Sequence, residues 1–286
     1  MTALTQATTD GQVEQTQRVV ADAVRKALKP LGKEASQRVH ARGNELAAGV
    51  AKFIAELSVS NQFADEQIET GYNYPANYRV KPLAKQIETL AKLFNLDGTK
   101  AYVYASSLSE LPEGAEGWFA FVRSEALSPN YGEAVEKVLG LIGEQRRFTN
   151  YRNGELSEQH IRVSARTKEM LVVLTEGQEG DILVIPAQLG LRHRGKSIRR
   201  ARETFAGNEF GLTSVIVGCV ALTHPERFQK FDELDPDCSG DEYSPDADGD
   251  FSRSLFFYFD GDGLGFDYRW LGNANEYDGT ASGFLL

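Results

Sequence analysis

Between Val13 and Leu57 apolar residues recur at helical intervals: Val13, Val20, Val24, Ala27 and Leu28, then Val39, Leu46, Val50, Phe53, Ile54 and Leu57. Steps of three, four and seven residues put such side chains on one face of a helix. Pro30, Leu31 and Gly32 interrupt the series, so it reads as a pair of helices. The pair either docks on the rest of the chain or assembles with a second copy.

The tyrosine- and proline-rich stretch Gly71 to Pro82 reads as a linker and divides a helical segment, 1–70, from a body, 71–286. Within the body, Leu83 to Phe94, Gly132 to Phe148 and Ser157 to Thr175 carry helical spacing. Ala101 to Ala105 and Gly117 to Val122 look β-like, and Asp181 to Ile185 reads as a buried strand ended by Pro186. A basic helix fits Ser197 to Phe205, and Pro225 suits the first turn of a short helix. Leu255 to Phe259 and Phe266 to Trp270 flank Asp260, Gly261, Asp262 and Gly263, a hairpin signal because both residue types tolerate turn dihedrals. The pattern predicts an α+β protein: an N-terminal helical pair, then a mixed α/β body with a C-terminal β-hairpin.

Hydrophobic residues make up 41% and charged residues 25% of the 286 positions, which excludes a disordered or fibrous chain. The longest nearly apolar run, Gly211 to Leu222, is too short for a bilayer span of about 20 residues and reads as a buried helix or strand. Met1 to Gly11 is polar and resembles no export signal, and Cys219 and Cys238 are too few for a disulfide framework. A cytoplasmic protein is expected.

The net charge of −10 is uneven: residues 206–286 hold 16 acidic and 4 basic side chains, the rest 25 and 27. An acidic C-terminal part repels nucleic acid and favours cations or basic partners.

Residues Gly190 to Ser197 match the phosphate-loop pattern G-x-x-x-x-G-K-[ST], in which backbone amides cradle phosphates, Lys196 reaches the terminal ones and Ser197 holds magnesium. A preceding strand broken at Pro186, bulky residues between the glycines and too few following βα units argue against it, so ATP is not expected. The same stretch places Arg192, Arg194, Lys196, Arg199, Arg200 and Arg202 close together. With Ser197 they form a candidate site for phosphate or a polyanion, unless they pair with the acidic C-terminal part or with Glu203. Weak or absent nucleic-acid binding is expected on the second alternative.

Asp235, Asp237, Ser239, Asp241 and Asp246, with Gly240 in sixth place, approach a calcium-loop spacing and make a candidate calcium or magnesium site in an acidic loop. Asp246 in the last place and Pro245 depart from that pattern. Cys238 with His224 as base is a candidate thiol pair, Cys219 reads as packing, and no two of His40, His160 and His193 have metal-ligand spacing.

The stretches Ile185 to Arg202, Glu209 to Leu212, Leu222 to Arg227 and Asp241 to Pro245 resemble an uncharacterised bacterial protein family with no assigned function. The resemblance covers roughly the last third of the chain. It implies that arginine can stand where Lys196 stands, which would make the phosphate-loop match accidental. The function expected is a non-enzymatic binding or interaction protein whose basic segment contacts phosphate or an acidic partner, with a phosphate-loop enzyme and a divalent-cation-binding protein as the alternatives.

Overall fold

A helix that is apolar on every side is stable only where protein surrounds it. The computed structural model describes residues 9–58, 61–108, 110–261 and 263–286. In it the apolar run becomes helix Ser214–Thr223, every residue of which is buried. The helices in chain order are α1 (Asp10–Leu28), α2 (Lys33–Ala41), α3 (Gly43–Ser58), α4 (Leu83–Phe94), α5 (Thr99–Ser106), α6 (Ser124–Leu127), α7 (Tyr131–Gln145), α8 (Ala165–Glu176), α9 (Ile198–Glu203) and the buried α10. The strands are β1 (Gly117–Val122), β2 (Phe148–Asn150), β3 (Ile161–Val163), β4 (Ile182–Gln188), β5 (Glu209–Gly211), β6 (Asp235–Tyr243), β7 (Arg253–Asp260), β8 (Gly263–Trp270), β9 (Asp278–Thr280) and β10 (Ser282–Phe284). They form one sheet of order β1-β4-β10-β5 and a second of order β2-β8-β7-β6-β3, with β9 also on β6. The fold is α+β, and α10 packs against α4, α7, β1 and β6. None of the described helices is long and apolar enough to cross a membrane.

The chain forms two units, Met1–Val59 and Ser60–Leu286. The first holds the N-terminal helices, with the expected break at Pro30 to Gly32 and a second one at Arg42. Among its described residues none is buried, and Val19 and Phe53 are well exposed. The boundary lies before the tyrosine-rich linker because residues 61–70 are tied to the body. Ser197 donates its amide to the Glu66 carbonyl, and the Ile68 amide bonds the Gly195 carbonyl. Residues 60–286 expressed alone are therefore expected to unfold in the same cooperative transition as in the full chain. A truncated chain that lacks this transition by calorimetry would show that the helices complete the core.

Several local expectations give way to tertiary context. Ala101 to Ala105 is helical because the Asp97 carboxylate accepts the Thr99 amide and hydroxyl at 2.9 and 2.6 Å, which starts α5, and only Ala101 of that helix is buried. The helix expected over Ser157 to Thr175 is split into β3 and α8, since Ile161 to Val163 pair with Asp241 to Tyr243.

Pro186 does not end β4; it pairs with Trp118 inside the ladder. The Arg123 amide bonds the Asp181 carbonyl, so odd-numbered β1 residues fall in bonded pairs and Trp118 does not. On the other side Gln178 bonds both backbone groups of Val184 and β10 reaches only Ala187 and Gln188, so no partner requires the hydrogen that proline lacks. The hairpin β7–β8 forms as expected, with Asp260 opposite Gly263 and Gly261 at φ +61°; Asp262 lies outside the described residues.

Candidate functional site

The eight residues Gly190 to Ser197 do not fold as a phosphate cradle. A cradle needs free amides, and here each amide is used internally. Gly190 and Arg192 donate to the Gln188 side chain, Leu191 to the Tyr74 hydroxyl, Gly195 to the Asp278 carbonyl and Ser197 to the Glu66 carbonyl. His193, Arg194 and Lys196 close local turns. The Ser197 hydroxyl donates to Glu66 at 2.7 Å and caps α9 by accepting the Arg200 amide. Strand β4 runs antiparallel to both its neighbours, unlike the parallel strand of a nucleotide-binding sheet. The two glycines have structural reasons to be there. Gly190, at φ +125°, backs onto Gly279, and Gly195, at φ +70°, backs onto the Ile68 carbonyl, where a Cβ would come within 2.3 Å.

The basic patch is also largely spent. Arg199 pairs with Glu66, and Arg200 pairs with Glu203 at 2.8 Å and with Asn61. Arg202 donates to the backbone carbonyls of Ser239 and Asp241, 4.0 Å from Glu242. Arg192 lies 3.4 Å from the buried Glu209 carboxylate, and the exposed Arg194 donates to the Tyr72 carbonyl. Pairing with the acidic C-terminal part thus holds for Arg192 and Arg202, while Glu66, Glu203 and Asn61 serve Arg199 and Arg200. Lys196 is half-buried, and its ammonium faces His193 and Thr204 and, among the described residues, pairs with no carboxylate.

The expected acidic loop is a strand. Asp235, Asp237, Ser239 and Asp241 lie at alternate positions of β6, and only Asp246 sits in an exposed turn. A strand and a calcium loop share a two-residue spacing of side chains, which is why the sequence suggested the loop. Asp235 and Asp237 face Arg269, Ser239 donates to the Ala281 carbonyl, and Asp241 accepts the Ser214 amide and the Tyr131 hydroxyl. Among the described residues no group of three or more histidines, cysteines and carboxylates is placed to hold a metal ion. The Cys238–His224 pair does not form either. His224 accepts the Lys81 amide on Nε2 and meets the Thr223 hydroxyl at Nδ1, and burial pushes the Cys238 thiol well above its ordinary range.

What no motif indicated is a cleft of about 710 Å³ lined by residues of β1, β3, β4, α6, α7, α8 and α10. Phe121 and Leu183, from the first sheet, and Ile161, Val215 and Ile216 give it an apolar floor, and Leu171 and Val172 of α8 form a lip. Its polar lining includes Arg123, Ser124 and Lys168, together with Glu125, Glu158 and Arg162. The Nε of Arg123 is buried without a hydrogen-bond partner, and its nearest carboxylate, Glu125, is 3.8 Å away. Lys168 is exposed and pairs with no carboxylate among the described residues.

Tyr131 fixes one wall by donating to Asp241 at 2.6 Å, and Asp241 in turn anchors the first turn of α10 through the Ser214 amide. Burial raises the Asp241 carboxyl to about 6 even though those bonds favour its charged form. These residues come from separate elements spread over the chain, so no local spacing could have revealed them. No family model matches the chain, and comparison with curated proteins and with solved structures gives no match.

Proposed function

We propose that this is a non-enzymatic binding protein whose cleft takes a small ligand with an apolar body and an acidic end. The reading is carried by one observation: a cleft of about 710 Å³ with apolar walls is lined in part by Arg123, whose buried Nε makes no hydrogen bond and has Glu125 only at 3.8 Å. A volume of this size holds a small organic molecule, and such sites combine apolar walls with a few placed polar groups. An unpaired buried donor costs free energy that a carboxylate recovers in a charge-assisted bond. Lys168 adds a second positive charge to the lining. The expectation of a binding protein for acidic groups is kept, but its location moves from Arg192–Arg202 to the cleft.

Calorimetric titration with decanoate is expected to show binding, and decanol of equal length to bind more weakly. Arg123→Met, which keeps the apolar stem, should weaken decanoate by about tenfold or more, the value of one hydrogen bond to a charged group, and leave decanol unchanged. Leu171→Trp, which fills the lip, should weaken both. Equal affinity for acid and alcohol would refute the acidic end, and no binding of either would refute the cleft.

A further inference from the structure

Lys196 presents a problem of charge. Its ammonium is half-buried, and a buried charge normally finds a counter-ion. Instead Nζ lies 3.4 Å from Nδ1 of His193 and 3.2 Å from the Thr204 hydroxyl. The charged groups around it are Arg192 and His193 in the turn before α9, Arg200 on α9 and Glu209 on β5. Glu209 is not free to neutralise it: the carboxylate takes His193 Nε2 at 2.7 Å, the Ser282 hydroxyl at 2.6 Å and the Ala206 amide at 3.0 Å.

Because Glu209 is a hydrogen-bond acceptor, Nε2 of His193 carries the hydrogen and Nδ1 presents its lone pair to Lys196. The result is a buried chain of carboxylate, imidazole and amine, in the order that activates a nucleophile. We propose that Lys196 is a reactive amine, the site at which this protein accepts an acyl group from an acyl phosphate.

The surroundings support each part of this. Burial, followed by the positive charges of Arg200 and Arg192, lowers the pKa of Lys196 and so favours the free amine. Burial also lowers that of His193. Ionised Glu209 supports the imidazolium when it forms; burial alone would raise its carboxyl, but the hydrogen bonds it accepts hold it down to about 2. Arg192 and Arg200, though each is paired with a carboxylate, stand near enough to act on Lys196 and are the cations that would meet a phosphate leaving group.

In the reaction the ammonium gives one proton to Nδ1 of His193, which returns it to solvent. The Nζ lone pair then attacks the acyl carbon, the bond between that carbon and the phosphate oxygen breaks, and its electron pair leaves with the phosphate. The extra proton on nitrogen departs with it as hydrogen phosphate, leaving a neutral amide on Lys196.

The test is incubation of the full chain with acetyl phosphate and site-by-site mass spectrometry over time. Lys196 is expected to acetylate at least about tenfold faster than the exposed Lys85, against the order that accessibility alone would give. In His193→Gln, which can still bond Glu209, the Lys196 rate should fall about tenfold while the Lys85 rate stays the same. Acetylation of Lys196 no faster than Lys85, or an unchanged Lys196 rate in a folded His193→Gln variant, would overturn the proposal. Should that variant fail to fold, the ratio of the two rates in the unaltered protein decides alone.

Discussion

Arg269→Met is expected to destabilise the body by about 3–5 kcal/mol at pH 8, the usual cost of removing one partner from a buried ion cluster. Three carboxylates depend on this one guanidinium. Nε is 3.4 Å from Asp237, Nη2 is 3.9 Å from Asp235, and Nη1 contacts Asp278. The arginine also lies 3.5 Å over the Phe256 ring and is 9% exposed, so water cannot replace it. It joins β8 to β6 and β9, and its loss leaves like charges facing each other across a parallel strand pair in which Asp235 is opposite Asp278.

The loss should depend on pH, and the direction follows from Asp235. Burial raises its carboxyl from the ordinary 3.8 to about 7, although Arg269 and Arg227 pull it down. The folded state therefore keeps a proton up to about pH 7 that the unfolded chain gives up near pH 4, and stability falls as pH rises through that window. Above it the cost is constant. Asp235→Asn should remove its own part of this slope, the part due to the buried Asp241 remaining, and stabilise the protein at pH 8 by an amount on the order of 2 kcal/mol, while Arg269→Met should be least harmful near pH 4. Urea unfolding from pH 4 to 8 measures both. An Arg269→Met chain as stable as the parent at pH 8 would mean that the cluster contributes nothing.

Gly190→Ala should cost about 3 kcal/mol or more, because two separate penalties coincide. A side chain at φ +125° is strained whatever the space around it. Its Cβ would also lie 2.9 Å from the Gly279 carbonyl oxygen and 3.1 Å from the Gly279 Cα, both backbone atoms that cannot turn aside. Gly279 is held in β9 against β6, so the strain passes into the second sheet. Lys196→Ala, in the same motif, should change stability by only about 1 kcal/mol, as for a half-exposed side chain with two weak polar contacts. The contrast separates the two explanations of the glycines. Were they there for phosphate, Gly190→Ala would keep its unfolding midpoint and lose only ligand binding. Here the midpoint itself should fall, equally with and without magnesium and ATP.

Of the basic residues the sequence singled out, Arg192, Lys196 and Arg200 come together, but around His193 and Glu209, whose part no motif announced. A signal existed in retrospect: Glu209 is an isolated acid in the short apolar stretch before the buried helix, where a charge needs partners. Arg123 carried no such signal. That its Nε makes no hydrogen bond is a matter of what fails to reach it, and that is visible only in three dimensions.

What the chain determines by itself is whatever depends on near neighbours. The periodicity of α1 and α4, the burial of the run that becomes α10, and the Asp-Gly turn between β7 and β8 follow from side-chain spacing and turn dihedrals, which act over a few residues. What only the tertiary structure decides depends on distant partners. The polar, strand-averse segment Asp235 to Tyr243 becomes a buried strand because β3, β7 and β9 pair with it and Arg269 meets its carboxylates. Pro186 stays in a strand because Gln178 and β10 serve the positions beside it, and Gly190 is required by Gly279 instead of by a phosphate. The cleft likewise exists only where β1, β3, α7, α8 and α10 converge. Local spacing can specify an element, but long-range pairing and burial set which atoms face one another, and the chemistry of this protein lies in those encounters.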